Sequence, residues 1–160
     1  MNGKSASKRS ISKSNKGKSM SISDTIRKLV YNAWDDGYPC MLATEGEHGP
    51  NISPKGSMMV FDDDHLAYWE RSKKAAYANL TKDARVCVMY GNFAVQRAGL
   101  LESGFLRFYG VAELHENGPI REAIFARLTP REQTHVGADT GIGVLIKITR
   151  AEDVRGKPLG

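Results

Sequence analysis

Two short stretches carry residue types suited to binding a polar, phosphorylated ligand. The first is Asn51-Ile-Ser-Pro-Lys-Gly-Ser57. Within an extended segment, Pro54 removes a ladder donor and Gly56 removes a side chain, and both mark an edge, a bulge or the close approach of a ligand. Backbone amides near Lys55–Met58 are therefore placed to meet a flat polar ring. The second stretch is Arg71-Ser-Lys-Lys74, where an apolar strand ends and a helix of composition Ser72–Lys82 begins. Basic side chains, a hydroxyl and the unpaired amides of a helix start make a phosphate cradle. The bland alternatives are a solvated turn for the one and a simple bulge for the other.

The elements that must position these stretches follow from periodicity. Ile26, Leu29, Val30, Ala33 and Trp34 form one helical face, with Ser23 as its N-cap. Tyr38–Thr44, Asn51–Phe61 and His65–Trp69 read as three strands with short connections, which favours antiparallel pairing. Asp62-Asp63-Asp64 is a hairpin turn between the second and third, without the acid spacing of a calcium loop. Val86–Tyr90 reads as a buried strand and 91–103 as a loop. Phe105–Leu114 is a long strand that sets Phe105, Arg107, Tyr109 and Val111 against Leu106, Phe108 and Ala112. A helix from Gly118-Pro119 to Leu128, a turn at Pro130, a loose Gly137–Gly143, a strand Val144–Ile148 and a frayed end complete the chain. Six strands without regular βαβ alternation predict a mostly β, α+β fold, a small antiparallel barrel with helices packed outside.

The 160 residues suffice for one domain, at 41% hydrophobic and 26% charged. The formal charge of +5 is unevenly spread. Lys4, Lys8, Arg9, Lys13, Lys16 and Lys18 lie among serines with no acid in the first twenty residues, which leaves seventeen bases against eighteen acids elsewhere. Residues 1–21 are expected to be a disordered tail, 22–155 the folded domain and 156–160 a terminal end. The tail could bind nucleic acid only weakly, through phosphates. No apolar run is long enough to span a bilayer, so no membrane association is expected. Two cysteines without a CxxC spacing fit a reducing, cytoplasmic compartment. Cys87 is expected in the core and Cys40 partly accessible. His48, His65, His115 and His135 are scattered, so no metal site is expected.

From Tyr38 to Tyr90 the sequence resembles the pyridoxamine 5′-phosphate oxidase-like family, the split barrels that bind flavin mononucleotide (FMN). The resemblance rests on Leu42-Ala-Thr44, Pro50-Asn-Ile-Ser-Pro-Lys-Gly-Ser57, Asp62-Asp-Asp-His-Leu-Ala67, Tyr77-Ala-Asn-Leu80 and Ala84-Arg-Val-Cys-Val-Met89. It implies a six-stranded split barrel, a homodimer with cofactor sites at the subunit interface, and an FMN-dependent oxidoreductase acting on an unknown small molecule. It also implies that the flavin ring lies along Ser53, Pro54, Lys55, Gly56, Ser57 and Met58. Arg71, Ser72, Lys73, Lys74 and Asn79 would hold the phosphate, and Tyr90, Arg107 and Tyr109 are candidates from the second subunit. The alternatives are a deazaflavin (F420)-dependent reductase and a non-catalytic binder of flavin or haem. In several relatives the basic pair stands where this chain has Ala75 and Ala76. The arginine-rich strand and C-terminus of pyridoxamine phosphate oxidase itself are missing, so vitamin B6 oxidation is not expected.

Overall fold

The computed structural model describes residues 20–159. The expected disordered tail lies almost wholly outside the described residues. Met20, at their start, packs against the main core.

Seven strands form one antiparallel sheet, in the order β2-β1-β5-β6-β7-β4-β3. They are β1 (Cys40–Gly46), β2 (Gly49–Lys55), β3 (Met59–Asp62), β4 (His65–Glu70), β5 (Arg85–Gly91), β6 (Phe105–His115) and β7 (Ile142–Asp153). The edge strands β2 and β3 are consecutive in sequence, joined only by Gly56, Ser57 and Met58. The sheet must therefore curl until its edges meet at that corner, giving a split barrel. Sequence reading predicts one strand over Asn51–Phe61 and so six in all. The structure breaks it into two because Pro54 and Gly56 interrupt the ladder within three residues.

Side-chain alternation sorts residues between the barrel interior and its exterior. Leu42, Leu66, Tyr68, Val88, Tyr90, Phe108, Val144 and Ile146 fill the interior, with α1 (Asp24–Asn32) contributing Ile26 and Val30. A second cluster forms outside the barrel, where α4 (Pro119–Ala126) places Ile124 against Ala67, Trp69 and Leu145. Because β4 is covered on both faces, it reads as an unbroken apolar run. On β6 the inward set is Leu106, Phe108 and Ala112, while Arg107, Tyr109 and Val111 face out. Gly110 sits where a Cβ would meet Ile146 and the Lys147 carbonyl at 2.5 Å, so nothing larger fits.

Several expectations change. Ser23 does cap α1, accepting from the Ile26 amide at 3.3 Å. Ser72 caps nothing, because α2 spans only Ala75–Leu80 behind Lys74. The loop expected at 91–103 contains α3 (Phe93–Arg97), capped by Asn92, and Pro130 opens α5 (Pro130–Gln133). The expected frayed end is a hook. Leu159 donates to the Ala151 carbonyl, and Asp153 accepts from the backbone amides of Arg155 and Lys157. The cysteines exchange places. Cys40 is fully buried, and burial pushes its thiol up to about 12, whereas Cys87 is half-buried on the outer face.

Ser57 supplies what the broken strand lacks. Its Oγ accepts from the Trp69 amide at 2.9 Å and donates to the Trp69 carbonyl at 3.3 Å, acting as a one-residue strand partner. Replacing Ser57 by alanine leaves a buried amide without an acceptor, at a cost of about 1–3 kcal/mol. The expected outcome is a lower urea midpoint at unchanged m-value.

Candidate functional site

At the barrel corner the two strand ends diverge and leave a cleft. One hollow, of about 390 Å³, is lined by Pro54–Ser57, Trp69–Ser72 and the loop residues His135, Val136, Gly137 and Thr140. A second, of about 220 Å³, shares Pro54, Lys55, Glu70 and Ser72 with it and adds Ser53, Lys74 and Ala75. The two stretches picked out in the sequence therefore form opposite walls of one cleft. Of the expected ring-side residues, Ser53 to Ser57 line it, whereas Met58 turns into the main core. Of the expected phosphate-side residues, Arg71, Ser72 and Lys74 line it, whereas Lys73 does not and only donates its backbone amide to Glu70. Asn79 lies elsewhere, donating to Thr44 Oγ1 at 3.0 Å beside the β1–β2 turn. Tyr90 is fully buried inside the barrel, while Arg107 and Tyr109 share the outer sheet face. Ala75 and Ala76, the two alanines at the relatives' basic positions, both line the second hollow, and Ala76 also packs into the main core.

The charges of the cleft are organised by two acids that the sequence reading passes over. Glu70, the last residue of β4, is 3% exposed. Its Oε2 accepts from Lys55 Nζ at 2.8 Å, and its Oε1 from Ser72 Oγ at 3.3 Å and the Lys73 amide at 3.1 Å. Lys55 also lies 5.0 Å above the Tyr68 ring. Burial, with the Glu70 charge adding to it, pushes the Tyr68 phenol well above its usual range. Glu132 of α5 is 1% exposed. It accepts from Arg131 at 2.8 Å through Oε1, and its Oε2 stands 3.6 Å from Arg71. Arg131 also donates to the Gly56 carbonyl, so α5 clamps the corner. A Cβ at Gly56 would stand 3.0 Å from Glu132 Oε1 and 3.3 Å from the Trp34 ring, so any side chain there must push its neighbours back.

Three buried side-chain atoms around this cleft have no hydrogen-bond partner: Ser53 Oγ, Arg71 Nη1 and Glu132 Oε2. Buried polar groups are seldom left unpaired, and an unpaired cluster in a cleft marks a place for a ligand or water. The loop between α5 and β7 forms the third wall. It leaves Val136 93% exposed at the rim and ties Trp69 through its indole to the Ala138 carbonyl at 2.8 Å. Among the described residues no group of His, Cys, Asp or Glu is arranged for a metal. No helix there is long and apolar enough to cross a membrane.

A family model described as Pyridoxamine 5′-phosphate oxidase matches residues 30–151. The chain belongs to the pyridoxamine 5′-phosphate oxidase family. Among solved structures, this family member is similar to a variant of HupZ from Group A Streptococcus. That match has 26% identity and a TM-score of 0.64, covering 84% of this chain and 100% of the other. It is also similar to a Lactobacillus delbrueckii protein named for pyridoxamine 5′-phosphate oxidase. Here the identity is 25% and the TM-score 0.58, covering 78% of this chain and 90% of that one. An FMN-binding protein from Syntrophomonas wolfei, at 15% identity and a TM-score of 0.55 over 80% of this chain and 85% of that one, shares the fold. Comparison with curated proteins gives no match.

Glu132 could have been noticed in the sequence only as an acid behind Thr129-Pro130, and Glu70 only as an acid ending an apolar strand. Replacing Glu132 by alanine leaves the Arg71 guanidinium partly buried and unpaired. The expected loss is about 3 kcal/mol, the low end for breaking a buried pair, because Arg71 keeps some contact with water. Chemical denaturation of the two proteins side by side measures it.

Proposed function

We propose that this chain binds flavin mononucleotide in the corner cleft and is an oxidoreductase acting on a small molecule. The observation that carries the reading is the pair of partnerless buried atoms, Ser53 Oγ and Arg71 Nη1, on the cleft's two walls. A hydroxyl beside the irregular Ser53–Ser57 segment suits the polar edge of a flavin ring. A guanidinium nitrogen suits its phosphate. Among the described residues Lys74, which lines the cleft, has no salt-bridge partner, so its ammonium remains for that phosphate. The flavin would supply the hydride chemistry. The chain's own part is to hold the ring against Pro54–Ser57, to anchor the phosphate at Arg71 and Lys74, and to shield the cleft through the Val136 loop.

The outer face of β1, β2, β5 and β6 supports a homodimer. Ile52, Met89 and Val111 are exposed there, next to Tyr109 and the half-buried Cys87. These apolar residues alternate with Arg85, Arg107 and Lys147 on neighbouring strands, a mixed surface suited to pairing with a second copy. Pro54 belongs to the same strand as Ile52 and also lines the cleft, which brings the pairing surface to the cofactor site. Arg107 and Tyr109 of a second copy remain candidates to complete it.

One observation favours a second reading, haem binding. His135 lies in the cleft wall, and its Nδ1 is engaged with the Val136 carbonyl at 2.8 Å, which leaves Nε2 for a ligand.

An absorption spectrum of the purified protein, taken before and after adding FMN, separates the two. Flavin absorption retained through gel filtration is the expected result, and a Soret band would transfer the site to haem. Replacing Lys73 and Lys74 together by alanine removes two solvent-facing cations from the phosphate side, each worth about 0.2–1 kcal/mol, so FMN affinity is expected to fall by less than about tenfold with riboflavin affinity unchanged. On the outer face, Val111→Asp is expected to convert a dimer to a monomer in light scattering.

A further inference from the structure

The cradle expected for a phosphate is partly filled by the chain itself. Three of its donors, the Lys55 ammonium, the Ser72 hydroxyl and the Lys73 backbone amide, all point at the carboxylate of Glu70. The turn is bent to achieve this. Lys73 is the one non-glycine described residue with positive φ, at 48°, a conformation that disfavours a side chain with a Cβ. Glu70 cannot readily step aside, because it is 3% exposed and its backbone is paired with Ile142 of β7. An anion arriving in the cleft therefore meets a buried like charge where it would meet donors. Of the cations lining the cleft, only Arg71 Nη1 and the Lys74 side chain stay available to it.

We infer that Glu70 is a specificity-determining residue that occupies the inner half of the phosphate cradle and holds down the site's affinity for phosphate. The inference rests on the flavin reading above and deepens it. With the inner donors taken, the ligand's ring supplies most of the binding, and the phosphate adds little through the outer cations. The wild-type chain then distinguishes FMN from riboflavin only weakly. Removing the Glu70 charge while keeping its shape frees the Lys55 ammonium for the phosphate, while the amide oxygen of glutamine can still accept from Ser72 and the Lys73 amide.

The experiment titrates the full chain with FMN, riboflavin and inorganic phosphate, following flavin fluorescence and thermal midpoint. It compares wild type, Glu70→Gln and the double variant Glu70→Gln/Lys55→Met. In wild type, FMN and riboflavin are expected to bind within about tenfold of each other; a preference for FMN of a hundredfold or more would overturn the inference without any variant. In Glu70→Gln, FMN is expected to bind at least about tenfold tighter with riboflavin unchanged, since one nearby negative charge has gone. The double variant should lose that gain, because Lys55 is its main source. An unchanged FMN-to-riboflavin ratio in a folded Glu70→Gln protein overturns the inference. If neither flavin binds any of the proteins, the flavin reading fails by itself. Inorganic phosphate then decides on Glu70: it should raise the thermal midpoint of Glu70→Gln and not of wild type, and equal effects on both would overturn the inference.

Discussion

Both edges of the sheet belong to one run of chain, and only Gly56, Ser57 and Met58 connect them. That constraint governs the rest. The strands must curl to bring β2 beside β3, and the interior that this encloses is filled by Leu42, Leu66, Tyr68, Phe108 and Ile146. The corner has too few residues to continue a ladder, so the Ser57 hydroxyl completes the bonding of Trp69, and α5 reaches over to hold the Gly56 carbonyl. The cleft is the space left where paired strands part. Its walls are built from two strand ends, the short segments that follow them and the loop before β7, and its polar lining is the chemistry that closes the corner.

The same closure explains the charges. Lys55 ends β2 and Arg71 follows the end of β4 at the corner, and each meets a buried acid, Glu70 and Glu132 respectively. Isolated, any of these four would be costly to bury; in pairs they are tolerable and fix geometry. The cleft is thus lined by neutralised pairs with a few donors left over, and differs from the uniformly basic pocket that the run Arg71-Ser-Lys-Lys74 evokes. Ligand selectivity in such a site depends on which donors are already taken.

Most of the architecture was legible in the sequence because periodicity and turn chemistry are local. The helix capped by Ser23, the Asp62–Asp64 hairpin and the inward set of β6 all follow from neighbours in the chain. The break of the second strand was visible as Pro54 and Gly56, but its consequence, two strands on opposite sheet edges, depends on long-range closure. The family resemblance placed Ser53–Ser57 and Arg71–Lys74 together, and the structure sets Ser53–Ser57 against Arg71, Ser72 and Lys74 in one cleft, with Lys73 outside it. Asn79 and Met58 fell outside that cleft because side-chain direction is decided by packing. Glu70 and Glu132 escaped notice for a related reason: the partners that give them meaning are Lys55 and Arg71, distant in sequence or on another element. The two cysteines were exchanged because inward and outward positions on β1 and β5 depend on strand register.

The pairing of β4 with β7 sets His65 against Lys147 and Glu70 against Ile142. During synthesis, β4 is therefore complete long before its partner leaves the ribosome. Until then Leu66, Tyr68 and Trp69 have neither neighbouring strand nor covering helix on the far side, since α4 also follows late. Closure waits for nearly the whole chain, and folding of this kind is slowed by the distance between contacts. The intervening hairpins can form first, so the growing protein passes through an open, half-curled sheet whose bare apolar edge is a hazard for misassociation.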